Sequence, residues 1–114
     1  MNPQQLVETA EAIVRDTLSG LPPEIREAMR NVRIDVERTP SRADIEAGIE
    51  PDTLGFFDEA IEGMPRIRLW VDCIWDYSFH EMEIFEEEVE TTLLHEIGHL
   101  VGWDEEDLEA RGLD

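Results

Sequence analysis

Two histidines with a glutamate directly after the first, His95-Glu96-Ile97-Gly98-His99, constrain this chain more than any other stretch. The spacing is useful only on a helix. Four residues carry an α-helix about 40° past one full turn and raise it by about 6 Å, so His95 and His99 project from one face, one turn apart. Their imidazole nitrogens can converge on one ion at about 2.0–2.1 Å, the usual Zn–N distance. The chain has 3 histidines in all, and two of them fall here.

Glu96 leans to a neighbouring part of the same helix surface. There its carboxylate reaches a water on the metal without binding the metal itself. Zinc lowers the pKa of such a water toward neutrality, and Glu96 takes its proton as the water attacks a carbonyl. A catalytic zinc usually has three protein ligands, so a third must come from elsewhere. The pattern extends to H-E-x-x-H-x-x-G-x-x-E through Gly102 and Glu105. Glycine lets the backbone turn sharply and return the next residues toward the metal. Glu105 is the expected third ligand by register, with another carboxylate or no third ligand also left open. Asp104, its neighbour, is the alternative, although it also suits the N-cap of a last short helix. An ordinary acidic amphipathic helix is the plain alternative for the whole motif. It would leave two imidazoles beside Leu93, Ile97 and Leu100 in need of partners, which a metal provides.

The rest of the chain supplies a scaffold. Leu6, Val7, Ala10, Ile13, Val14, Thr17 and Leu18 form one helical stripe over residues 4–18, closed by Ser19-Gly20. Pro23 opens a short helix over residues 24–30. Val32, Ile34 and Val36 alternate with charged residues, the pattern of a half-buried strand. Ser41 with Asp44 predicts a capped surface helix over 42–47, closed by Gly48. Leu54-Gly55-Phe56-Phe57 is a short strand, Glu62 to Pro65 a turn, and residues 66–72 a third strand. Ile74 to Phe79 is expected to extend that strand or to wall a cleft. A long helix then runs from Glu81 to the stop at Gly102, and a short one over 105–111. The pattern predicts one α+β domain over residues 1–114. A small mixed sheet of three to four strands packs on the N-terminal helix and on the helix of the motif.

Charge narrows the partners. There are 29 acidic residues against 9 basic ones, a formal net charge of -20. Like charge opposes nucleic acid and anionic membrane, whereas a metal cation or a basic peptide is attracted. The run Glu86-Glu87-Glu88 reads as a solvated helix face. Cys73 is the lone cysteine, so no internal disulfide forms, and its apolar surroundings predict a buried, inert thiol. No signal peptide and no membrane-spanning run is visible, and a cytoplasmic location is expected.

The chain resembles the mini-zincins, a bacterial family of small zincin-like metallopeptidases first catalogued as a domain of unknown function. Ile67-Arg68-Leu69-Trp70 matches the strand ahead of the family's motif helix, and Thr91 to Leu113 match that helix and its acidic tail. The resemblance implies a minimal zincin-like fold and a zinc site at His95, Glu96, His99 and the acid after Gly102. The family usually has Asp where Glu105 stands, so the third ligand stays open between Glu105 and Asp104. Unlike larger metzincins, the chain has no Met after Glu105 to make a Met-turn floor, and the site is expected to be shallow.

The function expected on these grounds is a zinc-dependent metallopeptidase, with Zn2+ as cofactor and Glu96 as general base. Its substrate is a peptide or protein, with basic ones favoured by charge. The sheet edge nearest the site, with the strand over 66–72 as the candidate, is expected to bind substrate as an added strand. Tyr77 and His80 are the local candidates for oxyanion stabilisers, but packing and structural roles are expected for them. The alternative is a non-catalytic zinc-binding interaction domain whose acidic surface recruits a basic partner. A third reading is a nuclease: the spacing His95, His99, Asp104 also resembles an rRNA-maturation endoribonuclease family. Glu96 stands where that family has a small residue, and the negative charge argues against RNA.

Overall fold

The computed structural model describes residues 1–58, 64–103 and 105–110. The first helix, α1 (Pro3–Ser19), begins where Asn2 satisfies orphan amides. Asn2 Oδ1 accepts from the Gln5 amide at 2.8 Å, and the Gln5 side chain accepts from the Asn2 amide at 3.0 Å. Leu6, Ala10 and Val14 of its stripe are buried. After α2 (Pro23–Ala28) comes β1 (Arg33–Glu37), then α3 (Arg42–Glu46), β2 (Gly55–Asp58) and β3 (Arg66–Trp70). The chain continues through α4 (Val71–Tyr77) and α5 (Met82–Leu100) to α6 (Glu105–Ala110).

Among the described residues the sheet has three strands in the order β1-β3-β2. β1 runs parallel to β3 with Ile34 opposite Ile67 and Val36 opposite Leu69. β2 runs antiparallel to β3 with Gly55 opposite Leu69 and Phe57 opposite Ile67. The result is the α+β class with a small mixed sheet, as the sequence patterns predict. Residues paired across strands share a face, so Ile34, Val36, Phe57, Ile67 and Leu69 form one apolar layer. That layer packs with Leu6 and Ala10 of α1, Ile74 of α4, and Phe85, Val89, Leu93 and Ile97 of α5. Burying each of the larger side chains stabilises the fold by about 1.5–3 kcal/mol.

The other sheet face is polar and yet covered. Arg68 points to it from the middle strand and is only 7% exposed. Its guanidinium donates to Glu37 Oε1 at 2.9 Å and to Asp44 Oδ1 at 2.7 Å, which ties α3 to the sheet. Glu37 also accepts from Trp70 Nε1 at 3.0 Å, and the Arg68 guanidinium lies 4.9 Å from the centre of the Trp70 ring. Ser41 and Asp44 form the expected capping box, so Asp44 serves the helix start and the buried arginine together.

Two expectations are corrected. The strand over 66–72 is not an edge: β3 is the middle strand, paired on both sides, and cannot receive an added strand. Nor does it continue through Ile74 to Phe79. It ends at Trp70, and Val71 begins a helix that buries Val71, Ile74 and Ser78 on one side. Ser78 Oγ donates back to the Ile74 carbonyl at 2.7 Å. Phe79 and His80 then take left-handed backbone conformations, φ 55° and 59°, to reverse the chain into α5. The reversal is braced by the His80 ring, stacked on Trp75 with centroids 5.2 Å apart and hydrogen-bonded to Asp76 Oδ1 at 2.7 Å.

Cys73 is half-buried rather than fully enclosed. Its Sγ donates to the Pro51 carbonyl at 3.3 Å. Partial burial, reinforced by Asp72, Asp76 and Asp52, pushes the thiol pKa up and keeps it protonated. No helix among the described residues is long and apolar enough to cross a membrane.

Candidate metal centre

The rotation of α5 is fixed by its buried face. Phe85, Val89, Leu93 and Ile97 recur every four residues, and all point into the core. With that stripe held inward, His95, Glu96 and His99 fall on the flank of the helix and are half-buried. The two histidine rings meet there. His95 Nε2 lies 2.9 Å from His99 Nε2, with ring centroids 4.5 Å apart and planes inclined by 79°. Two ring nitrogens this close fit a single ion that takes each at about 2.0–2.1 Å, with a modest opening of the pair. Imidazole donors of this kind suit zinc.

The helix stops just beyond the second histidine. Gly102 has φ 88°, which an L side chain rarely adopts. Its amide donates to the His99 carbonyl at 3.1 Å, and the Trp103 amide donates to the Gly98 carbonyl at 2.9 Å. The two bonds form a Schellman motif. The chain thereby leaves the helix axis one turn after His99, and α6 starts at Glu105. Asp104 lies outside the described residues, and so does the side chain of Glu105. Among the described residues no third His, Cys, Asp or Glu joins the pair in a metal-holding group.

Glu96 lines a cavity of about 240 Å³ together with His95. The opposite wall is β2 and the residue before it, Gly55 and Leu54, and the floor includes Thr91 and Thr92 of α5. Among the described residues β2 pairs with β3 only, and Gly55 at its start lines the cavity. Sequence reasoning names the helix residues and misses the wall. The signal was Gly55, because a glycine within a strand often marks a close approach of another backbone or helix. A roomier cavity of about 690 Å³ lies between α2 and the end of α5, but its walls are mainly Leu21, Ile25, Leu94, Ile97, Val101 and Trp103. It has no part of the histidine pair. Tyr77 is 59% exposed and lines a third cavity, beside Cys73. His80 is committed to Trp75 and Asp76.

No curated protein is similar enough to the chain to count as a relative. The sequence pattern of the zincin-like metallopeptidase family, however, matches residues 29–113, a span that takes in all three strands, the motif helix and the stretch after Gly102. The chain belongs to the zincin-like metallopeptidase family.

Proposed function

We propose that the chain is a zinc-dependent peptidase in which His95, His99 and Glu105 hold the ion and Glu96 is the general base, Asp104 being the alternative third ligand. The observation that carries this reading is the meeting of His95 Nε2 and His99 Nε2 at 2.9 Å beside a cavity that Glu96 lines. Zinc, when bound, supplies Lewis acidity, which acidifies water and polarises a carbonyl oxygen. The Glu96 carboxylate accepts a proton from the attacking water and delivers it to the leaving amide nitrogen. The outer edge of β2, rather than β3, takes the substrate backbone as an added strand, because β2 is the edge strand that begins, at Gly55, on the cavity. The net charge of -20 favours basic peptides or proteins and opposes nucleic acid and anionic membrane. The lone, unpaired thiol suits a reducing compartment, in keeping with a cytoplasmic location.

Glu96→Gln tests the mechanism. The variant should bind zinc as tightly as the parent and lose turnover by about 10²–10⁴-fold, the range for one general base. Equal turnover in both would remove Glu96 from the reaction. The second reading, a zinc-binding interaction domain that recruits a basic partner, is favoured by the acidic surface alone. It would prevail if the zinc-loaded parent cleaves nothing in a broad peptide library and yet binds a basic peptide saturably.

A further inference from the structure

We propose that the cavity beside His95 and Glu96 is a specificity pocket for a lysine or arginine side chain of the substrate, with Glu88 as its counter-charge. The inference rests on the peptidase reading for the placement of the substrate backbone.

The run Glu86-Glu87-Glu88 reads in the sequence as one solvated face, but the structure divides it. Glu86 and Glu87 are exposed, whereas Glu88 is half-buried and lines the cavity with His95 and Glu96. Glu88 stands seven positions before His95. Two helical turns bring it back to the same face, about 10 Å up the axis. A substrate strand along β2 advances about 3.3 Å per residue, so one or two steps from the carbonyl held near His95 bring a side chain over the cavity. A long basic side chain covers the remaining distance with its apolar stem and delivers its charge to the far end.

The walls match such a side chain. Leu54 offers apolar surface to the stem, and Glu88 offers a carboxylate to the head. The Glu88 side chain makes no hydrogen bond or ion pair with any described residue, and no arginine among the described residues lines the cavity. A half-buried carboxylate in that state gains most from a cationic donor and repels an acidic one. A cavity of about 240 Å³ has room for one long side chain.

The test is an equilibrium binding titration by fluorescence anisotropy, using zinc-loaded Glu96→Gln protein so that nothing is cleaved. The probes are decapeptide pools in which one position at a time is fixed as lysine, norleucine or glutamate. At one position lysine should bind about tenfold tighter than norleucine, the value of one charge-assisted hydrogen bond. Adding Glu88→Gln should erase that difference and leave norleucine affinity unchanged, and Glu88→Arg should turn the preference to glutamate. Equal affinity for lysine and norleucine at every position, or a lysine preference that survives Glu88→Gln, overturns the inference. Cleavage of the same pools by the unsubstituted protein reports on the peptidase reading separately. Its absence would overturn that reading, while the binding difference still decides the pocket.

Discussion

Gly55 presses against Thr92: a Cβ at position 55 would stand 2.6 Å from Thr92 Cγ2, with Leu69 Cδ2 at 3.2 Å and the Arg68 carbonyl oxygen at 3.3 Å. The strand that walls the cavity therefore lies against the motif helix one turn before Glu96, and only glycine allows that approach. Gly55→Ala should destabilise the protein by about 1–3 kcal/mol, the usual cost of overpacking, read as a fall in melting temperature. Thr92→Ser removes the one methyl group in closest conflict and keeps the hydroxyl. In the Gly55→Ala background it should recover most of the loss. A double variant no more stable than Gly55→Ala would show that this contact does not set the spacing.

A second glycine acts through its backbone alone. Nothing lies within 4 Å of a Cβ placed on Gly102, but its φ of 88° is strained for any L side chain. Gly102→Ala should cost about 1–2 kcal/mol, and Gly102→Asn less, because asparagine tolerates the left-handed conformation better. Its amide bonds to the carbonyl of His99, so loss of the turn should also weaken zinc binding in the same order, alanine more than asparagine. Calorimetric titration with zinc checks both. Equal affinities for glycine, asparagine and alanine would detach this turn from the metal site.

Where local pattern and tertiary contact agree, the sequence is readable. The stripe of α1, the alternation of β1 and the four-residue spacing of His95 and His99 are all properties of single elements, and each is found as expected. Misreadings arise where one residue satisfies two patterns. Val71 continues the alternation Ile67, Leu69 as a strand would, and it also begins the helical set Val71, Ile74, Ser78 that is in fact buried. Arg66 and Arg68 give β3 the look of a half-exposed edge strand. Its middle position is compatible with arginine only because Glu37 and Asp44, distant in sequence, neutralise Arg68. Glu88 was hidden for the same reason, since no local signal separates it from Glu86 and Glu87. Its seven-residue spacing from His95 is visible, but the β2 wall opposite it is not.

The Arg68–Asp44 pair makes acid stability predictable. The hydrogen bond from Arg68, followed by those from Ser41, holds the Asp44 carboxyl well below its ordinary pKa of 3.8. Arg68 is held above its own ordinary value chiefly by Asp44. A carboxylate depressed on folding contributes stability that is complete above its unfolded pKa and fades as the pH falls toward the folded one. Asp44→Asn should therefore be less stable than the parent at neutral pH, and the two should converge below about pH 4. Arg68→Met should cost about 3–5 kcal/mol at neutral pH, because Glu37 and Asp44 lose their shared partner. Chemical denaturation at pH 7 and at pH 3 measures both. A constant gap between the parent and Asp44→Asn at the two pH values would contradict the linkage.

Zinc should stabilise the folded protein, by an amount that grows with the logarithm of its free concentration over Kd. An ion bound by the native state alone adds about 2.7 kcal/mol at a free concentration one hundred times its Kd. The parent and Glu96→Gln should both melt higher with zinc than with chelator, because the proposed base is not a ligand. His99→Ala should lose the shift, since one of two imidazoles that meet at 2.9 Å is gone. The same measurement chooses the third ligand. If Glu105 holds the ion, Glu105→Gln removes most of the shift and Asp104→Asn leaves it. The reverse result assigns the role to Asp104, and a full shift in both variants excludes these two acids. A parent whose melting temperature ignores zinc would remove the ion from the proposed site, and with it the chemistry assigned to Glu96.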